Sequence, residues 1–174
     1  NDPRISISIV PIGDGLTRVA VYRRSVGASL ERVWENVLDW EHLPWLHHRS
    51  FREASVIKAG DWGWRARLGL PDGREIELEL LLEGPGERYV SRTTAGQGAG
   101  TEIWTTLQVE APDRTDIEVE FWLPDVPAGR EQAIGGVMTR LYEQLWDEDE
   151  QMMRHRQAQL DRPARAGSGR SEVD

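Results

Sequence analysis

The 174-residue sequence contains no cysteine. This absence excludes disulfides, thiolate nucleophiles, zinc ribbons and cysteine-ligated iron–sulfur clusters, so any metal ion must be held by His, Asp and Glu. No apolar run approaches the roughly 18 residues that a membrane span needs. The first ten residues, NDPRISISIV, lack the basic and then apolar pattern of a secretory signal peptide. These absences favour a cytoplasmic protein with no membrane partner.

Basic side chains are too few and too scattered to form a nucleic-acid surface. The chain has 21 Lys and Arg against 30 Asp and Glu, a formal net charge of −9 that is spread along the sequence. A nucleic acid or an anionic membrane requires a basic stripe that displaces counterions, so we expect neither as a partner. The length and the 39% apolar content suit one core. We therefore predict one domain over residues 1–161 and a disordered polar tail over 162–174.

The spacing of apolar residues changes along the chain and predicts the order of its elements. Residues 4–10 and 17–26 alternate in polarity on either side of the turn-like PIGDG, which predicts a hairpin. Residues 55–123 predict about five further strands, separated by turns at PDG, GPG, GQGAG and APDR. Residues 130–160 contain no proline and predict a long terminal helix.

This order of elements predicts an α+β protein in which a curved antiparallel sheet grips the long C-terminal helix. Each element then buries one face of the other, and such arrangements commonly enclose a ligand cavity. The pattern resembles the helix-grip fold (START/Bet v 1-like) of lipid carriers, polyketide cyclases and the catalytic domains of ring-hydroxylating oxygenases. The pattern alone does not distinguish these classes.

The stretch WENVLDWEHLPWLHHRSF, residues 34–51, holds three of the four histidines of the chain. Ser29 is a suitable N-cap for a helix that we predict to extend to His42 and to break at Pro44. On a continuous helix His42 and His47 would point about 140° apart, whereas a bend at Pro44 lets both rings converge on one ion. The alternative is an ordinary solvated helix face with a histidine near its C-terminal end.

A carboxylate lies on the apolar face of the predicted terminal helix. The positions one helical turn from Asp149 are Leu145, Trp146, Met152 and Met153. A buried carboxylate is costly unless it is paired or bound to a metal ion. Two imidazoles and one carboxylate with open positions suit mononuclear non-haem Fe(II). The alternative is a charged helix whose acid happens to lie beside its apolar seam.

Both segments resemble the iron site of Rieske non-haem iron ring-hydroxylating oxygenases. ENVLDWEHLPWLHHRSF is similar to that family's pattern of Glu-Asn, then Asp, then His-x4-His, with a spacing like that of the pheophorbide-oxygenase and vanillate-demethylase types. DEDEQMMRHRQ resembles its Glu-Asp segment. The resemblance implies that His42, His47 and Asp149 bind one Fe(II) ion. It also implies that Asp39 supports the His42 ring and relays electrons between subunits. We further expect Asn36 to orient or occlude an open coordination position, unless it is an ordinary helix-surface residue.

The resemblance covers residues 17–160 and omits the domain in which family members hold a [2Fe–2S] cluster through two Cys and two His. It implies an iron oxygenase that acts on a hydrophobic or aromatic small molecule and has no cluster of its own. Electrons would then come from a separate electron-donor protein or from the substrate. Two alternatives stay open: a metal-free START-like carrier or cyclase, and a metal-dependent hydrolase or lyase. A homo-oligomer is compatible with each.

Overall fold

The computed structural model describes residues 14–39, 41, 47, 50–83 and 87–162. The strands within them are β1 (Thr17–Val26), β2 (Glu53–Gly60), β3 (Gly63–Gly69), β4 (Glu75–Glu83), β5 (Arg88–Ala95), β6 (Glu102–Ala111) and β7 (Arg114–Leu123). The helices are α1 (Leu30–Leu38) and α2 (Glu131–Leu160). The strands form one antiparallel sheet in the order β1-β7-β6-β5-β4-β3-β2. Helix α2 packs against β1, which confirms the predicted helix-grip fold.

The strand pattern follows the predicted one, except that the stretch after α1 forms six strands where about five were predicted. The prediction of a strand over residues 17–26 is confirmed; its expected hairpin partner, residues 4–10, lies outside the described residues. Strand β1 pairs with β7, and Thr17 lies opposite Leu123. The stretch 54–70 forms two strands instead of one, because the chain turns between Gly60 and Gly63, which face each other across the pair.

Helix α1 begins where the sequence predicts and ends earlier. The Ser29 side chain accepts a hydrogen bond of 3.3 Å from the backbone N–H of Arg32, as an N-cap does. The helix ends at Leu38, well before the predicted break. Asp39 leaves the helical conformation, and its side chain accepts a hydrogen bond of 3.2 Å from the backbone N–H of Glu41. Such local side-chain bonds compete with helix continuation.

The concave face of the sheet carries the core. Alternate residues of β7 are buried there, and Phe121 packs edge to face on Tyr142 of α2 with ring centroids 4.8 Å apart. Helix α2 lies close to the backbone of β1 at Gly135, where an added Cβ would lie 2.2 Å from the carbonyl oxygen of Val19. In the part of the chain that the structure describes, no helix is both long and apolar enough to cross a membrane.

The convex face of the sheet is polar and is held together by ion pairs. Glu79 lies 2.6 Å from Arg65 and 3.3 Å from Arg92, which in turn lies 3.0 Å from Glu102. Glu102 also accepts a hydrogen bond of 3.1 Å from the indole N–H of Trp104. Both carboxylates are buried, and this pairing offsets the cost of removing their charges from water.

Candidate functional site

A cavity of about 120 Å³ lies between the concave face of the sheet and α2. Helix α1, strands β3 to β5 and α2 contribute to its wall. Most of the wall is apolar or aromatic, and it includes Phe51, Trp64, Leu80 and Trp146. The wall also contains a few buried polar side chains on α1, on β5, on α2 and at position 47. A mostly apolar wall with a few polar groups is the usual composition of a small-molecule site.

Helix α1 is fixed over the cavity by two aromatic contacts with the sheet. The indole N–H of Trp64 in β3 donates a hydrogen bond of 3.1 Å to the carbonyl oxygen of Val37. Trp34 packs edge to face on Tyr89 of β5, with ring centroids 5.8 Å apart. These contacts hold the C-terminal half of α1, including Asn36, at the cavity wall.

His47 is buried between two neighbouring carboxylates of α2. Its ring is 2% exposed, with Nδ1 2.9 Å from Oε2 of Glu148 and Nε2 3.1 Å from Oδ1 of Asp149. Gln144, one turn earlier on α2, donates a hydrogen bond of 3.1 Å to the other oxygen of Glu148. The fold thus joins residues about a hundred positions apart into one polar cluster of His47, Glu148 and Asp149.

Burial acts on the pKa of His47 and of two tyrosines at the cavity wall. Burial alone would lower the pKa of His47, but the hydrogen bonds and charges of Asp149 and Glu148 outweigh it and raise that pKa above its usual value. Burial also raises the pKa of Tyr89 and of Tyr142 well above that of an exposed phenol. Both tyrosines therefore keep their hydroxyl protons at neutral pH.

The structure brings together two of the three predicted metal ligands. Asp149 faces inward as predicted, with 8% exposure, and contacts His47. His42 lies outside the described residues. Neighbouring ligand atoms of an octahedral ion with bonds of about 2.1 Å lie about 3 Å apart. The distance between Nε2 of His47 and Oδ1 of Asp149 therefore suits a shared ion as well as a hydrogen bond. Among the described residues alone, no three His, Asp or Glu side chains form a group that could hold a metal. The binding of one Fe(II) ion by the three residues stays a prediction.

The two residues predicted to assist the metal site lie in different surroundings. Asn36 is buried at the cavity wall, and Asp39 is exposed at the end of α1. The prediction for Asp39 assumed that it precedes His42 by one turn of a continuous helix. Because α1 ends at Leu38, that helical spacing does not apply. Catalytic roles for Asn36 and Asp39 stay predictions.

Sequence reasoning missed Glu148 and the ion pair of Arg24 with Glu150. Arg24 lies on the inward-facing side of β1, and its Nη2 is 2.5 Å from Oε2 of Glu150. In a strand that alternates in polarity, a cation at an inward-facing position needs a buried acidic partner. The position of Arg24 could therefore have predicted this ion pair. Glu148 gave no such signal, since its contact with His47 depends on the path of the chain before β2.

Removal of the Asp149 carboxylate tests the metal prediction. Asp149→Ala should leave a folded protein that has lost most of its bound divalent metal, measured by elemental analysis of protein purified without a histidine tag. Asp147→Ala is the matched control, because that side chain is 63% exposed on the same helix. Metal content that is equal in Asp149→Ala and the wild type would contradict the prediction.

No protein-family model matches the sequence, and no curated protein matches it. Several solved structures share its fold. The Zhui aromatase/cyclase from Streptomyces sp. R1128 is 12% identical, with a TM-score of 0.67 over 81% of this chain and 95% of that chain. A START superfamily protein from Mycobacterium smegmatis is 19% identical, with a TM-score of 0.60 over 76% and 97%. A point mutant of norcoclaurine synthase from Thalictrum flavum is 15% identical, with a TM-score of 0.64 over 83% and 99%.

The interpretation as a Rieske oxygenase catalytic domain is wrong. The three solved structures compared above are a START superfamily protein, an aromatase/cyclase and a norcoclaurine synthase, and none of them is a Rieske oxygenase. The iron-oxygenase function inferred from that resemblance is therefore wrong as well, and the predicted electron-donor partner has no support from the structure or from these similarities. The motif matched residue types in two short segments, and several of those residues serve local structure. Glu35 pairs with Arg32, and Asp39 ends α1.

Proposed function

We propose that the protein binds a small hydrophobic or aromatic molecule between the sheet and α2, as a carrier or a cyclase-type enzyme of the START-like class. The observation that carries this proposal is the cavity with its mostly apolar and aromatic wall. Similarity in fold to an aromatase/cyclase and to a norcoclaurine synthase supports it.

The volume of the cavity limits the size of the ligand. Pockets for drug-sized ligands usually measure about 300–1,000 Å³. An apolar cavity of about 150 Å³ engineered into another protein binds benzene. The volume of about 120 Å³ found here therefore suits a ligand, or the enclosed part of a ligand, of about one aromatic ring.

The polar cluster favours the cyclase alternative over the carrier. Asp149 and His47 both line the cavity and contact each other. A carboxylate and an imidazole in contact can take a proton from a bound molecule and return it to another atom. A carrier has no use for this chemistry. Asp149→Asn preserves the shape of the side chain, so it should abolish turnover of an identified substrate and leave binding of an apolar probe unchanged.

Toluene provides a direct test of the cavity as a binding site. We expect saturable binding with a dissociation constant on the order of 1 mM, in keeping with its few atoms. Trp64 and Trp146 line the cavity, so toluene should change their fluorescence. The fluorescence change and the change in the toluene NMR signals should give the same dissociation constant.

A cavity-filling variant supplies the matched comparison. Ser91 on β5 is buried at the cavity wall, so Ser91→Leu should abolish toluene binding and leave the melting temperature unchanged or raised. Thr94→Leu adds similar volume at an exposed position of the same strand and should bind toluene like the wild type. Failure of the wild type to bind, or equal binding by Ser91→Leu, would overturn the proposed function.

A further inference from the structure

Asn36 is a buried polar residue of the cavity wall with an unused hydrogen-bonding atom. The residue is 6% exposed and lies between apolar positions of α1, of which Val33 and Val37 are buried. Its side-chain oxygen is buried and has no hydrogen-bond partner among the described residues. Such an unpaired group destabilises the folded state, and most buried polar groups in folded proteins are paired. Among the described residues, the side-chain oxygen of Asn36 therefore has a free place for a hydrogen-bond donor.

The cavity is the place from which that partner can come. Asn36 is part of its wall, and the neighbouring imidazole of His47 already has a carboxylate beside each ring nitrogen. The rest of the wall is mostly apolar. A molecule that fills the cavity would thus meet the Asn36 amide, the Asp149 carboxylate that pairs with His47, and an otherwise mostly apolar wall.

We propose that Asn36 is the specificity-determining residue of this site and selects a single-ring aromatic molecule that carries a hydroxyl group. This inference rests on the proposed function of the cavity. A hydroxyl both donates and accepts hydrogen bonds, so it can pair with the amide oxygen or with the amide nitrogen. The ring fills the remaining volume, which is that of about one aromatic ring.

Charge at the site excludes acidic relatives of such a ligand. Glu148 and Asp149 place two carboxylates against the single imidazole of His47. A bound carboxylate ion would add a further negative charge in a region where water screens charges poorly. A neutral phenol carries the hydrogen-bonding group without that charge, so phenol should bind and benzoate should not.

The test compares phenol with toluene, two molecules of the same size, in the wild type and in Asn36→Leu. Leucine keeps the approximate shape of asparagine and removes its polar atoms. The ratio of the toluene to the phenol dissociation constant, measured by calorimetry, should fall about 5- to 10-fold in the variant, as expected for one neutral hydrogen bond. The two probes differ in hydration, but this difference is the same for the wild type and the variant. It therefore cancels when the toluene-to-phenol ratios of the two proteins are compared.

The outcomes separate this inference from the proposed function. If the wild type binds neither probe, the cavity is not a ligand site and both ideas fail. If both probes bind and the ratio is the same in Asn36→Leu, the proposed function stands and the role of Asn36 is overturned. Asn36→Ala repeats the comparison should the leucine variant not fold, and general loss of stability moves both dissociation constants without moving their ratio.

Discussion

Glu150→Ala should lower the free energy of unfolding by about 2–4 kcal/mol, somewhat less than the 3–5 kcal/mol typical of fully buried pairs. Glu150 joins three parts of the fold, because it accepts hydrogen bonds from Arg24 of β1 at 2.5 Å and from the backbone N–H of Gly27 at 2.9 Å. Its side chain is 12% exposed and that of Arg24 is 19% exposed. Alanine would leave the guanidinium half-paired and the backbone donor without a partner.

Asp147→Ala is the control for this loss. Asp147 also pairs with Arg24, at 2.6 Å, but its side chain is 63% exposed. Exposed ion pairs contribute about 0–1 kcal/mol, so this change should be small. Urea unfolding gives the free energy of unfolding of the wild type and both variants, provided that its dependence on urea concentration is the same in all three. Equal losses of unfolding free energy in the two variants would show that the buried Glu150 pair stabilises the protein no more than the exposed Asp147 pair.

Gly135→Ala should destabilise the protein by about 1–3 kcal/mol, the usual cost of overpacking, even though alanine favours helices. Helix α2 and strand β1 touch backbone to backbone at this point. A Cβ on Gly135 would meet the carbonyl oxygen of Val19 at 2.2 Å and the Cβ of Ala20 at 3.1 Å. Backbone atoms cannot swing aside as a flexible side chain can, so the helix must move away from the strand.

Gly136→Ala should have the opposite effect. The nearest atom to a Cβ at Gly136 is a terminal nitrogen of Arg140, 3.4 Å away, which can move at little cost. The gain in helix propensity of up to about 1 kcal/mol should therefore appear as added stability. Thermal unfolding of the two variants should shift in opposite directions, and shifts of the same sign would contradict the close approach at Gly135.

The sequence was informative wherever local spacing determined the outcome. The change in the spacing of apolar residues along the chain predicted the sheet and the terminal helix. The N-cap Ser29 located the start of α1. The apolar neighbours one turn from Asp149 correctly placed it inward. Each inference used residues within a few positions of one another, which is the range over which helical and strand periodicity acts.

The sequence was less informative where distant segments meet. The end of α1 depends on the hydrogen bond that the Asp39 side chain accepts, which competes with a helix that the apolar spacing would extend. The contacts of His47 with Glu148 and Asp149 depend on how the sheet carries both segments to one place. The oxygenase motif matched residue types in two distant segments. A match of residue types alone does not show which proteins share the fold.

The order of strands in the sheet has a consequence for how the protein folds. Strands β2 to β7 are sequential neighbours and can form as successive hairpins, whereas β1 lies at the opposite edge from β2. The β1–β7 pair joins Arg18 and Glu120, which are 102 residues apart. Pairing over such distances is slow, and during synthesis β1 must wait until β7 exists. Until then the surfaces that later bury Arg24 and Gly135 stay open to water. We therefore expect β1 and α2 to dock late, in the step in which the chain is most prone to aggregate.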